Sequence, residues 1–548
     1  MKVSGNTLIG RTLKRLGVDA AFYLMGAPLL EAENACIREG IRMIDVRHEQ
    51  AAAMMAHAYA RVSGKPGVCL AGSGPGVTNL TTGLANALVD GAPVVALGGS
   101  SNMLDYGMGS FQEIDQVAIM RPITKWAERV YDTARIPEYV EIAFRQARSG
   151  KPGPVYLDIP GDVLYREVDE RDVTWAVTPH WTPARPRAEE ELVAKAAELI
   201  KKAKQPIILS GSGTLWSGAS ARLLELVELT GIPVYATPQG RGVIPEDHPC
   251  CFNRARSTAF READVVIVAG TRLNYVVGYG KPPRFNAAAN FVHIDIDPYE
   301  LSRRSQSGIS LLGDVGTVLN QLQQALTGEC ISRSFEAWRQ HLSAIDNARR
   351  GLESEKLLTD QVPIHPLRLC KELREFIDRD AVLVVDGQEI LNYGRQTIPS
   401  FVPGHRLNSG PFGTMGVGLP FALGAKAAKP ETQVIVLHGD GSFGMNGIEL
   451  DTAVRHNLPV LVVVSLNGGW TAYEEDRPKP GRELGYTQFH KFAQSLGCYA
   501  EQITEPEDVR PALERAKKAM ATGTPALLNV VTDSKARAKT VKFAQYET

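Results

Sequence analysis

Three observations predict an α/β protein of several domains, each built on a doubly wound parallel sheet. First, short apolar runs end in glycine, as in VIVLHGDG (434–441) and PVLVVVSLNGG (459–469), and read as buried strands. Second, helical spacing separates such runs: Ile448, Leu450, Ala453 and Val454 recur on one face between these two. A strand–helix–strand order needs a crossover, so the two strands run parallel and end at one edge of the sheet. Third, the alternation recurs along all 548 residues, long enough for three ordinary domains.

The composition is that of a globular protein, with 44% hydrophobic and 22% charged residues. Sixty Lys and Arg against 61 Asp and Glu leave a net charge of -1, which points away from nucleic acids and anionic membranes and toward small molecules. The first 24 residues interleave Lys and Arg with apolar residues at helical spacing, and read as a domain's first helix rather than a leader. No apolar run reaches the roughly 18 residues of a membrane span. The seven cysteines (36, 69, 250, 251, 330, 370 and 498) show no metal-type spacing. Reduced thiols in a cytoplasmic protein are expected.

Taken in order, GVCLAG (67–72) and APVVALGG (92–99) are strands flanking a helix over Thr78 to Val89, and KPGPVYLDIPGDV adds another strand. This first domain is expected over 1–170. The polar, proline-bearing stretch from Arg166 to Arg187 reads as a surface linker. A second domain, 188–345, has strands in QPIILSGSG, GIPVYAT, ADVVIVAGTRL and NFVHIDIDP. ARRGLESEKLLTDQVPIHP reads as the next connection, and a third domain, 362–548, opens with the strand AVLVVDGQE.

Asp440 and Asn467 leave parallel strands at one carboxyl edge, where open α/β sheets bind ligands. Asp440 is a hard anionic oxygen ligand and Asn467 a neutral one, and the adjoining glycines open the backbone to close approach. A helix starting near Ser442 aims its positive end at the same place. Together these suggest a Mg²⁺–diphosphate site.

GDG, then NLPV, then Asn-Gly-Gly resembles the cofactor motif of thiamine diphosphate (ThDP) enzymes, and the likeness covers nearly the whole chain. It implies pyrimidine-binding, central and diphosphate-binding domains, with Mg²⁺ held by Asp440, Asn467 and the Gly469 backbone. RHEQ, followed by AYAR and GKPGV, resembles the site of the activating glutamate, which makes Glu49 the acid that hydrogen-bonds the cofactor's pyrimidine ring. The helix face Ala52, Met55, Ala56 and Tyr59 behind it is apolar, and His48 is expected to be structural. By the same resemblance Gly387, Gln388, Glu389, Gly439, Gly441 and Ser442 lie near the diphosphate. Gly413 and Met415 pair with the pyrimidine edge, and Met415 is the wedge beneath the bent cofactor.

The strings MGSFQE, HRLNSGPFGTMGVG and RPKPGRELGYT look most like 2-hydroxyacyl-CoA lyases and oxalyl-CoA decarboxylases, while PITKWAERV is also similar to acetohydroxyacid synthases and benzaldehyde lyase. The resemblance then makes Phe111 and Gln112 catalytic candidates that face the substrate, with Gln112, Glu49 and the cofactor's own amine handling the protons. Pro28 stands where benzaldehyde-lyase-like enzymes place a histidine, and Asn408 where acyl-CoA lyases tend to carry an aspartate. AGTRLNY and HIDIDP resemble the edge that holds ADP or FAD, with Arg272 and Asp295 as candidates. Lys535, Arg537, Lys539 and Lys542 in the tail are candidates to pair with CoA phosphates, or the tail is a solvated end. The expected activity is cleavage of a 2-hydroxyacyl-CoA to an aldehyde and formyl-CoA, or the reverse condensation. Acetolactate-synthase-type chemistry on a 2-oxoacid is the alternative, and a non-catalytic nucleotide-binding protein the reading from another class. The resemblance implies a homodimer or homotetramer, with each site between the first domain of one subunit and the third of another.

Overall fold

Apolar runs flanked by helices on both faces assemble into three parallel sheets. The computed structural model describes residues 1–175, 182–303, 308–328, 331–470 and 480–538. Cys330, Arg477 to Lys479, Lys539 and Lys542 lie outside these residues.

The first sheet has six strands, ordered Arg42–Asp45, Ala20–Leu24, Gly67–Ala71, Val94–Ser100, Val155–Pro160 and Trp126–Arg129. The third is ordered Arg406–Leu407, Val382–Asp386, Val434–Gly439, Leu461–Leu466, Ala526–Val531 and Tyr499–Ile503. Counted in chain order within each sheet, both read 2-1-3-4-6-5, and the five-stranded central sheet reads 2-1-3-4-5. Every pairing within the three is parallel. Each chain path therefore reverses between its first and third strands, and the carboxyl ends there leave a crevice.

Glycines line all three crevices because backbone passes backbone there. A Cβ on Gly72 would lie 2.9 Å from the Gly26 Cα, one on Gly213 2.7 Å from the Gly270 Cα, and one on Gly387 3.1 Å from the Gly439 N. All are closer than, or at the edge of, what a side chain tolerates.

Helix Glu49–Ser63 fits snugly between the first and third domains. The sequence predicts one apolar face, but the helix is buried from Ala51 through Val62, because Gly418–Ala428 of the third domain packs on it as well. Its alanines are small because backbones meet: a Cβ on Gly424 would sit 2.2 Å from the Met55 carbonyl oxygen. Gly424→Val is therefore expected to destabilise the protein by about 3 kcal/mol through overpacking. Gly351→Ala, in open space within helix Glu336–Leu357, should be neutral or stabilising by about 0.5–1 kcal/mol. Apparent melting temperatures of the two variants check the contrast.

Three readings of the chain need correction. The stretch after Arg166 is not all linker: Glu167–Asp169 pairs antiparallel with Lys2–Ser4. The connection before the third domain is helical in its first half, since Glu336–Leu357 runs through it. The central sheet also has an edge strand, Gly308–Leu312, whose half-exposed side chains form no apolar run. No helix among the described residues is long and apolar enough to cross a membrane.

Candidate active site

The third-domain crevice is built from the ends of three neighbouring strands. Asp386 closes the first, and its carboxylate accepts from the Gly387 and Gly418 amides at 2.7 and 2.8 Å. Burial pushes its pKa up to about 6. Asp440 follows the second strand and begins helix Asp440–Asn446, two residues earlier than the sequence predicts, and a second helix, Glu449–Arg455, completes the crossover.

The Asp440 carboxylate is 4% exposed and accepts from three amides: Gly441 at 2.9 Å, Gly468 at 2.8 Å and Gly469 at 3.1 Å. Asn467, after the third strand, accepts from the same Gly469 amide at 3.2 Å. The two predicted ligands thus converge on one peptide group. Burial also pushes Asp440 up to about 6, against the pull of the amides. A buried carboxylate of this kind, beside an amide oxygen and an open backbone, suits a hard divalent cation.

Gly387, Gln388, Glu389, Met415, Gly439, Gly441, Ser442 and Trp470 line the rest of the crevice, which opens to solvent. Trp470 lies against Gly441, where a Cβ would be 2.5 Å from its ring. Asn446 donates to the Gly416 carbonyl at 2.8 Å and ties the glycine-rich segment to the crevice. The chain's last described residues also reach it: Asp533 and Ala536 form part of the wall, and Glu389 accepts from the Ala538 amide at 2.8 Å.

In the first domain Glu49 starts its helix behind His48, whose ring nitrogen accepts from the Gln50 amide at 3.1 Å and caps the turn. Glu49 is 9% exposed and accepts from Asn79 at 2.9 Å. Gly76 lies so close that its Cβ would be 3.3 Å from a Glu49 oxygen. Buried Glu449 of the third domain accepts from the Arg47 amide at 3.1 Å and steadies the segment leading in. Glu49 does not line the third-domain crevice of its own chain, whose walls come from the third domain alone.

Gln112 has φ +59° and accepts from Ser73 at 2.6 Å, while Phe111 is 82% exposed. Sequence reasoning missed Gln116, which is buried and bonds the Gly74 amide, the Gly99 carbonyl, Tyr156 and Asp158. It holds the Ser73–Gly74 turn against the sheet. Its signal was present only as a polar residue at a buried helical position.

A larger cleft, about 1220 Å³ out to its mouth, lies between the central and third domains and shares Gly387, Gln388 and Met415 with the crevice. Arg272 and Arg395 border it. Asp295 does not: it is buried at the end of Asn290–Asp295, accepts from the Asp297 amide at 2.9 Å and is pushed up to about 6 by burial. Gln239, also missed, borders the cleft with its amide nitrogen donating to Asp90 at 2.6 Å. Asp90 in turn accepts from Arg61 at 2.8 Å and pairs with His57 at 2.9 Å, a wholly buried cluster joining the first domain to the cleft. No side chain of this cluster stood out in the sequence, because Asp90 lies 29 residues beyond Arg61 and Gln239 lies 149 beyond Asp90.

Comparison with known proteins agrees with this architecture. Family models describe residues 3–119 as "Thiamine pyrophosphate enzyme, N-terminal TPP binding domain", 193–322 as the central domain and 392–530 as the C-terminal TPP binding domain. The chain is 37% identical to "Acetolactate synthase large subunit IlvG" of Mycobacterium tuberculosis, over 96% of this chain and 95% of the other. It is 33% identical to "2-hydroxyacyl-CoA lyase 1" of Homo sapiens, over 99% and 96%, and 32% identical to "2-hydroxyacyl-CoA lyase" of Arabidopsis thaliana, over 97% and 96%. By domain content and by relatives that span nearly its whole length, the chain belongs to the thiamine pyrophosphate enzymes.

Proposed function

We propose that this protein is a Mg²⁺- and ThDP-dependent carbon–carbon lyase or ligase that cleaves a 2-hydroxyacyl-CoA to an aldehyde and formyl-CoA, or runs the reverse condensation. The observation that carries the reading is the cleft between the central and third domains. It is continuous with the Asp440 crevice through Gly387, Gln388 and Met415, and Arg272 and Arg395 border it. A long carrier with phosphate groups, such as a CoA thioester, matches that shape and charge. ADP or FAD would match it too, as a resident of the same cleft.

Bound ThDP supplies an electron sink for breaking a bond beside a carbonyl. Asp440, Asn467 and the Gly469 carbonyl would hold Mg²⁺, and Ser442 with the start of Asp440–Asn446 would bind the diphosphate. Met415, at the junction of crevice and cleft, and the Gly413 backbone would position the pyrimidine. Glu49 would share a proton with the pyrimidine ring, and Gln112 and Phe111 would border the substrate.

Each complete site would join the first domain of one copy to the third of another in a homodimer or homotetramer. The exposed Leu104, Met108 and Phe111 favour such an arrangement. Domain limits of 1–170, 188–345 and 362–548 and a cytoplasmic location belong to the same proposal.

The acetolactate-synthase reading is favoured by the 37% identity to a protein of that name. Separate incubations with pyruvate and with a 2-hydroxyacyl-CoA divide the two. The expected result is formyl-CoA and aldehyde from the thioester, and turnover of pyruvate alone would overturn the CoA assignment. A melting temperature unmoved by Mg²⁺ and ThDP would favour a non-catalytic protein instead.

A further inference from the structure

One buried group beside the crevice has no part in the scheme above. His438 lies two residues before Asp440 on strand Val434–Gly439 and is 1% exposed. Its ring is wedged in place. A Cβ on Gly418 would lie 2.2 Å from the ring carbon Cε1, and Phe443 meets it edge-on with centroids 5.6 Å apart. The ring nitrogen Nδ1 is thereby held 3.1 Å from the Ser442 hydroxyl oxygen. That hydroxyl lies 3.0 Å from the Gly439 carbonyl, to which it donates, and it borders the crevice.

We propose that His438 is a positioning residue that keeps the Ser442 hydroxyl proton available to an oxyanion in the crevice. The proposal rests on the reading that this crevice takes the cofactor's diphosphate.

A hydroxyl has a single proton. If Nδ1 accepted it, Ser442 would have none left for a ligand. If Nδ1 carries its own proton, the imidazole donates to the Ser442 oxygen, and the hydroxyl proton can turn from the Gly439 carbonyl to a phosphate oxygen. Two surroundings select the second tautomer. The Asp386 carboxylate, 3.7 Å from Nδ1, favours a proton there. Nε2 is buried with no hydrogen-bond partner, where a bare lone pair costs less than a stranded N–H.

The test measures the dissociation constant of Mg²⁺–ThDP by quenching of tryptophan fluorescence, alongside the melting temperature of each cofactor-free variant. His438→Asn places an amide N–H where Nδ1 stands, whereas His438→Gln places it where Nε2 stands. The proposal expects His438→Asn to bind within about twofold of the unaltered protein, and His438→Gln and Ser442→Ala each about tenfold more weakly. It further expects His438→Gln with Ser442→Ala to bind no more weakly than Ser442→Ala alone. Equal effects of Asn and Gln, or losses that multiply in the double variant, would overturn it. If Ser442→Ala weakens binding and His438→Gln does not, the positioning role alone fails. If Ser442→Ala leaves binding unchanged, the diphosphate reading of the crevice fails and takes the proposal with it.

Discussion

Glu49→Gln is expected to lower kcat by about 10²- to 10⁴-fold while the dissociation constant of Mg²⁺–ThDP moves less than about threefold. Glutamine fills the same space and can keep a hydrogen bond with Asn79, whose side chain meets Glu49 at 2.9 Å. What it cannot do is share a proton with a ring nitrogen. The helix start is held from both sides, by His48 at the cap and by Glu449 on the Arg47 amide, so the substitution should leave the backbone in place. Steady-state kinetics and calorimetric titration measure the two quantities. Hydrogen–deuterium exchange at the thiazolium carbon that stayed as fast as in the unaltered protein would remove Glu49 from this role.

Asp440→Ala is expected to weaken binding of Mg²⁺–ThDP by more than about 100-fold, because it deletes the one anionic ligand of the proposed metal site. Titration of the cofactor-free protein with Mg²⁺–ThDP by calorimetry reads the loss, and near-normal affinity would end the metal assignment. The unaltered site also predicts a pH dependence. Burial raises Asp440 from the ordinary carboxylate range to about 6, so between about pH 4 and 6 the folded, metal-free protein holds a proton that the unfolded chain releases. That contribution to stability is present at the acid end and is lost as pH rises through 6. The cation and the proton compete for the same oxygens, so Mg²⁺ affinity should fall by up to about tenfold per unit as pH drops below 6. Asp386, also raised to about 6, adds to the stability term but is not a proposed ligand.

The two variants together test where the site is assembled. Glu49 does not line the crevice of its own chain. Mixed subunits of Glu49→Gln and Asp440→Ala should therefore recover about a quarter of the unaltered activity, from one intact site in half of the dimers. No recovery on mixing would mean that each chain uses its own pair.

Much of this arrangement was legible in the residues. Strands such as Val434–Gly439 and Leu461–Leu466 are buried on both faces, so their sequences are mostly apolar, interrupted only by His438 and Ser465 near their ends, and parallel order followed from the helix between them. Asp440 and Asn467 stand at the ends of such runs, where the residue type and the sheet edge carry the same message. The edge strand Gly308–Leu312 left no such pattern because half of it faces water. Asp295 showed the limit of placing a residue by its strand end alone, since its carboxylate caps the following turn instead of facing the cleft.

By itself the sequence determined the fold class, the chain order of the strands and the identity of the acid, the amide and the glycines at their ends. Those are local properties, set by periodicity and residue type. Tertiary structure alone decided which distant segments share a wall: the third-domain helix against Glu49–Ser63, Gln239 bonded to Asp90, and His438 wedged beside Gly418. Such contacts depend on how close two backbones can pass and on which buried polar atoms must find partners, and neither is written in any one stretch of the chain.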